Sequence, residues 1–254
     1  MSCMILHSCS SVVEVIYGDG YASSARRTLK RTAALMDTTG KKSLILVPMV
    51  HVGREKDYKR IRQYLDNLKL NGYVTFYEEV PYSTFSFLSS SPVPIKEYIN
   101  LRDSLKAQDD SVRLDALSRK MRRCIGKDPS VALESYAKRG KIKQSIEVLG
   151  LTTNRDYWTD MSAEDMVQQY EELHGKIELS SYDWAVPLDD PKYNSRKAGG
   201  RIYRFVNTIR DEHLLSLILS SDFDKIAVVY GAAHTNQVKF HLIYDHHFKK
   251  VKRK

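Results

Sequence analysis

Leu44-Ile45-Leu46-Val47-Pro48-Met49-Val50-His51-Val52-Gly53, near the start of the chain, and Ile226-Ala227-Val228-Val229-Tyr230-Gly231-Ala232-Ala233-His234, near its end, are short apolar runs that each lead into one histidine. Both have the length and β-branched content of a buried strand. A residue at the end of such a strand is presented to the crevice at the sheet's carboxyl edge. Two imidazoles aimed there predict a polar site. A third run, Tyr73-Val74-Thr75-Phe76-Tyr77-Glu78-Glu79-Val80, is again strand-like and ends in carboxylates. Between the first and third runs, Tyr58, Ile61, Leu65 and Leu68 recur at helical spacing, and Asn71-Gly72 supplies a helix stop. Residues 44–80 therefore read as a strand, helix, strand unit with a right-handed parallel crossover, which places Glu78 beside His51.

Working outward, residues 1–40 form an N-terminal segment with a helix expected from Ser24 to Met36, closed by Thr38-Thr39-Gly40. Residues 41–254 read as one domain. The Pro- and Ser-rich stretch from Pro81 to Pro94 reads as a loop leaving the sheet edge, placed to cover the site. From about 95 to 180 the periodicity is helical, with breaks at Gly126-Lys127-Asp128-Pro129 and Leu149-Gly150-Leu151, and no strand is expected. Ser162-Ala163-Glu164-Asp165 begins a capped helix carrying Met166, Val167, Tyr170 and Leu173 on one face, with His174 at its end. Residues 180–200 read as loop, and a helix is expected over Arg201 to Leu219. The fold class is α/β, a central sheet flanked by helices with a helical insertion.

With 254 residues, 42% of them hydrophobic, the chain is long enough to bury a sizeable core. No run of eighteen apolar residues occurs. The formal charge of +9 is unevenly spread, with a basic stretch from Asn100 to Lys143 and an acidic one from Arg155 to Asp190. Arg119-Lys120-Met121-Arg122-Arg123 and the lysine-rich end from Lys249 read as a solvated helix face and a charged terminus. No nucleic-acid partner is expected, because neither a recognition motif nor an aromatic platform accompanies them. Cys3, Cys9 and Cys124 have neither metal-knuckle spacing nor an even count. Leu6 to Cys9 is similar to the lipobox at which bacterial lipoproteins are cleaved and acylated, although a charged n-region and a full apolar h-region are lacking. The expectation is a lipid-anchored protein of the cell envelope; the alternative is cytoplasmic.

Gly231-Ala232-Ala233-His234 sets small residues before an imidazole, so that the backbone can approach a ligand closely. His51, Glu78 and His234 together make two imidazoles and one carboxylate, a common set for a catalytic divalent ion with one open coordination position. The competing reading of His234 is a hydrogen-bonded structural histidine, and Glu79 competes with Glu78. His241, His246 and His247 are a further cluster, explained equally well by a surface strand and helix end. Tyr82, Phe85 and Phe87 follow Glu78 and either line a haem or peptide groove or pack in the core. No Gly-x-Ser-x-Gly elbow, His-Glu-x-x-His helix or phosphate-binding loop occurs, and Gly18-Asp19-Gly20 reads as a turn.

Met49-Val50-His51-Val52-Gly53, Phe76-Tyr77-Glu78-Glu79-Val80, Ile209-Arg210-Asp211-Glu212 and Val229-Tyr230-Gly231-Ala232-Ala233-His234, in this order, resemble the TraB/GumN family. The wider group includes Tiki proteases, erythromycin-esterase-like enzymes and haem-binding ChaN proteins. The resemblance implies a mixed central sheet with a helical insertion, two Gly-x-x-His motifs, and divalent-metal hydrolase or protease activity. His51, Glu78, Arg210 and His234 take those roles here. Pro48 stands where the first motif would have glycine, and proline lacks the amide donor.

The expected function is a metal-dependent hydrolase of the peptidase or esterase type acting on a peptide or small-molecule substrate. His51, Glu78 and His234 would hold Mn, Co or Zn, which lowers the pKa of a bound water. Glu78 and Arg210 are the catalytic candidates: Glu78 as ligand or general base, Arg210 as oxyanion stabiliser. Arg210 and Tyr82 are the substrate-binding candidates. The competing reading of Arg210 is a salt bridge to Asp211 or Glu78. The alternative function is a haem- or peptide-binding or regulatory protein of the same fold without turnover.

Overall fold

The computed structural model describes residues 25–50, 52–78, 111–125, 141–152, 156–161, 163–188, 190, 193, 194, 197 and 203–252. His51, Tyr82, Phe85, Phe87, the lipobox-like stretch, the Gly18-Asp19-Gly20 turn and the 81–94 loop lie outside the described residues. The strands are β1 (Ala33–Met36), β2 (Ser43–Met49), β3 (Val52–Gly53), β4 (Val74–Tyr77), β5 (Ile142–Lys143), β6 (Asp156–Trp158), β7 (Lys225–Gly231) and β8 (Lys249–Lys250). The helices are α1 (Ala25–Arg31), α2 (Glu55–Leu70), α3 (Ser111–Ile125), α4 (Ile146–Leu149), α5 (Ala163–His174), α6 (Ser181–Ala185), α7 (Tyr203–Ser220) and α8 (Ala232–Tyr244).

The fold is α/β, with a mixed six-stranded sheet ordered β6-β4-β7-β2-β1-β8. The four strands β6, β4, β7 and β2 run parallel, while β1 is antiparallel to both of its neighbours. β2 and β4, joined by α2 in sequence, are not adjacent, because the late strand β7 lies between them. Side chains alternate between two cores at the strand period of two. Ile45, Val47, Met49, Ala227, Val229 and Tyr77 pack on one face with Tyr58, Ile61, Leu65 and Leu68 of α2. Leu44, Leu46, Ile226, Val228, Tyr230 and Phe76 pack on the other with Leu214, Leu217 and Ile218 of α7 and Val238 and Leu242 of α8. Burial of each such side chain contributes about 1.5–3 kcal/mol, so the central strands anchor the sheet. A third core joins α3, α5 and α7 through Leu117, Met121, Met166, Val167 and Ile209.

Several sequence expectations are corrected. The expected helix from Ser24 to Met36 stops at Arg31, and Ala33–Met36 is strand β1. Alanine, leucine and methionine favour helix, yet pairing with β2 and the full burial of Leu35 override that preference. The helical insertion contains β5 and β6, and β6 joins the main sheet beside β4. The stretch from 180 to 200 contains α6, started by a capping box between Ser180 and Asp183. β7 ends at Gly231, so His234 lies in the first turn of α8 rather than at a strand end.

Pro48 sits within β2, in register with Tyr230 of β7. Ser43 donates its amide to Asp224 O at 2.7 Å, on the β7 side, so the period of two turns the amides of even-numbered residues toward β1. β1 begins opposite Leu46. At Pro48 the β1–β2 ladder is already over, and the missing donor leaves no ladder bond unmade.

Among the described residues no helix is long and apolar enough to cross a membrane.

Candidate active site

Three neighbouring parallel strands deliver polar groups to one edge of the sheet, the crevice at their carboxyl ends. Glu78 follows β4, and its amide continues the ladder by donating to Val229 O at 3.0 Å. Asp160 follows β6 by two residues, after Thr159 donates its amide to Tyr77 O at 3.3 Å. Gly231 closes β7 and donates its amide to Glu78 Oε2 at 2.6 Å. Both carboxylates are buried.

Helix α7 supplies the counterion. Arg210 Nε and Nη2 donate to Asp160 Oδ1 and Oδ2 at 2.8 and 2.6 Å, the two-pronged geometry for which guanidinium is suited. The same Nη2 donates to Glu78 Oε1 at 2.6 Å, and Nη1 lies 3.1 Å from His234 Nε2. Burial opposes the charge on Arg210, but the fields of Asp160 and Glu78 more than restore it and hold its pKa well above the ordinary value. Arg210 thus ties α7 to the ends of β4 and β6.

His234 is held from the other side. Its Nδ1 lies 2.6 Å from Asp211 Oδ1, and its Nε2 lies 3.6 Å from Glu78 Oε1. A guanidinium can only donate, so Nε2 is the acceptor and Nδ1 carries the hydrogen that Asp211 accepts. This carboxylate, imidazole, guanidinium chain fixes the tautomer and directs the Nε2 lone pair toward Arg210. Consecutive residues on a helix point about 100° apart, which lets Arg210 reach the strands while Asp211 reaches α8. The site contains three carboxylates against one guanidinium.

Two further groups border the cluster. The Tyr230 hydroxyl is 3.0 Å from Thr159 Oγ1; burial, then the field of Asp160, pushes its pKa well above the usual range. His213, one turn after Arg210, is half-buried, and its Nε2 has no hydrogen-bond partner among the described residues. Burial lowers its pKa, and the fields of Asp160 and Asp165 partly offset that effect.

The structure brings Glu78, Arg210 and His234 together. Arg210 bonds Glu78, as its competing reading held, but Asp211 bonds His234 instead. His241 lies two turns along α8 and contacts Asp245 at 2.6 Å. His174 ends α5, exposed against Tyr170. Sequence reading missed Asp160, whose only signal was a carboxylate after the two aromatics of a three-residue strand. It also missed Asp211 as the partner of His234. No protein-family model, curated protein or solved structure matches this chain.

The divalent ion that the resemblance implies is tested by its ligand atoms. His234 Nε2 has one lone pair, and Arg210 Nη1 takes it. Glu78 Oε1 accepts from Arg210 and Oε2 from the Gly231 amide. Among the described residues no group of three or more His, Cys, Asp or Glu side chains is arranged to hold a metal ion. With Arg210 in place, His234 Nε2 is not open to an ion, and the described residues do not fit one there.

Proposed function

We propose that this cluster is the hydrolytic centre of a TraB/GumN-like enzyme that cleaves an amide or ester in a peptide or small molecule. The observation supporting this reading is the oriented imidazole: Asp211 holds Nδ1 at 2.6 Å while Nε2 faces a guanidinium at 3.1 Å. An imidazole oriented by a carboxylate is a general base, and a fixed cation beside it stabilises an oxyanion.

The roles follow from the distances. The contact between Arg210 Nη1 and His234 Nε2 is the longest of the four that Arg210 makes in the cluster, and the only one without a carboxylate. Substrate and water displace that contact while the other three keep the guanidinium in place. His234 Nε2 takes a proton from water as the water oxygen attacks the carbonyl carbon. Arg210 Nη1 donates to the oxygen that becomes negative. His234 then returns the proton to the leaving amine or alkoxide as the acyl bond breaks. Glu78 and Asp160 position Arg210.

The test is turnover of a panel of p-nitrophenyl esters and internally quenched peptides by the wild type and His234→Ala. Loss of the base lowers kcat/KM about 100- to 10,000-fold. Equal activity in the variant overturns the assignment.

The second reading is a binding or regulatory protein without turnover. It is favoured by the closure of the network, in which both oxygens of Glu78 and of Asp160 accept hydrogen bonds. Such closure suits an ionic clasp joining β4, β6, β7, α7 and α8. Absence of turnover across the panel favours this reading.

A further inference from the structure

Helix α8 turns its two large aromatic side chains away from the sheet. Val238 and Leu242 are fully buried, whereas Phe240 is 51% exposed and Tyr244 65%. One helical turn apart, the two rings pack on one another with their centroids at 4.6 Å. Among the described residues α8 is the one element with two large exposed apolar side chains. The chain then doubles back. Phe248 is buried and donates its amide to Leu242 O at 2.8 Å, which starts β8 beside the last turn of α8. β8 is the outermost strand of the sheet beyond β1, and the Val251 amide extends that ladder to Ala34 O at 3.0 Å. Lys249, Lys250 and Lys252 are exposed and make no ion pair among the described residues, and Val251 beside them is 39% exposed. The one acid between Phe240 and Lys252 is Asp245, which lies 2.6 Å from His241 Nδ1. An aromatic pair and a cationic, partly apolar edge therefore stand side by side where α8 meets β8.

We propose that this corner is a peripheral docking surface for a lipid bilayer rich in anionic headgroups. Exposed aromatic rings settle at the boundary between headgroups and acyl chains, and a lysine beside them keeps its ammonium among the headgroups while its stem lies along apolar surface. Each such lysine raises the affinity for anionic lipid about fivefold. A second copy of the chain is disfavoured here, because pairing β8 with β8 would set lysines against lysines. Nucleic acid is disfavoured because base stacking needs open ring faces, and Phe240 is packed on Tyr244 and, with centroids at 5.6 Å, against the His241 ring. The inference is independent of the hydrolytic reading, since none of these residues belongs to the Arg210 cluster.

The experiment is co-sedimentation of the full chain with vesicles of phosphatidylcholine alone and of phosphatidylcholine mixed with phosphatidylglycerol, at low and at raised salt. Binding to the mixed vesicles only, weakened by salt, is the expected result. Lys249→Gln/Lys250→Gln is expected to weaken it at least about tenfold, and Phe240→Ser/Tyr244→Ser likewise. These side chains are exposed, so both variants should keep the wild-type melting temperature. Equal binding to both vesicle types, or none to either, overturns the proposal, and that comparison stands on the wild type alone. Mixed-vesicle binding that survives the loss of both aromatics also overturns it, because charge alone would then suffice. Fluorescence anisotropy with single-stranded and duplex oligonucleotides covers the other polyanion: oligonucleotide binding that depends on Lys249 and Lys250 and outcompetes the vesicles assigns the edge to nucleic acid instead.

Discussion

Truncation of Asp160 tests whether the cluster is the ionic clasp that its geometry describes. In Asp160→Ala, Arg210 loses its hydrogen bonds at 2.8 and 2.6 Å, and the Met161 amide loses an acceptor at 2.9 Å. The arginine side chain is 15% exposed and the aspartate side chain 6%, so water cannot replace what is lost. Removing one partner of a buried pair costs about 3–5 kcal/mol, mainly because the other charge stays buried without full compensation. Glu78 remains on Arg210 and holds the loss toward the lower end. For a chain of this size each kcal/mol lowers the melting temperature by about 2–4 °C, so a decrease of about 6–20 °C is expected.

The assay is urea unfolding followed by far-ultraviolet circular dichroism, paired with a thermal scan. Asp160→Asn keeps an acceptor and the shape, so it should lose less than Asp160→Ala. In the double variant Asp160→Ala/Arg210→Met the loss should be smaller than the sum of the two single losses, because no unpaired guanidinium remains. A loss below about 1 kcal/mol in Asp160→Ala, the range of solvent-exposed ion pairs, refutes the clasp.

Asp211→Asn leaves His234 with a hydrogen-bonding neighbour but no carboxylate, so any His234-dependent hydrolysis should fall about 10- to 10,000-fold with the fold intact by circular dichroism; unchanged kcat/KM removes Asp211 from the mechanism. At Asp183, burial alone would raise the pKa, but hydrogen bonds from Ser180 and Tyr193, together with Arg123, outweigh it and hold the group below its ordinary 3.8. A carboxylate held low when folded contributes stability that is fully present above pH about 4 and is lost as the pH falls through the folded value. The urea midpoint should therefore drop below pH about 4 in the wild type and less steeply in Asp183→Asn; parallel slopes oppose this assignment. Gly150 has φ +66°, and an added Cβ would lie 2.6 Å from Arg62 Nε. Gly150→Ala should therefore cost about 1–2 kcal/mol in urea unfolding, with the strained backbone retained even after Arg62 moves aside.

How much was legible in the sequence follows from the range of each interaction. β2 and β7 are seven-residue strands with the side chains that sheets favour, and α2 repeats its buried residues at helical spacing, so local pattern suffices for them. β1 has the local pattern of a helix, and only its pairing with β2 makes it a strand. β6 is three residues long, below the length at which alternation can be read, and Asp160 owes its position to it. The strands that lead to Glu78 and Gly231 are readable one at a time. The bonds that make a site of them are not, since Glu78 meets Arg210 across 132 positions and Gly231 across 153. Gly231 also shows why a motif can be read correctly and assigned to the wrong element. Its spacing from His234 is that of an N-cap to the third residue of a helix, which sets the imidazole one turn above the sheet edge. From there Nδ1 meets Asp211 while Nε2 meets Arg210, and those two neighbours in sequence lie on opposite sides of the ring. A histidine at the strand end itself would project from the sheet and would not carry a carboxylate on one nitrogen and a guanidinium on the other. The start of α8 at Ala232 therefore turns a strand-end histidine into an imidazole held from both sides.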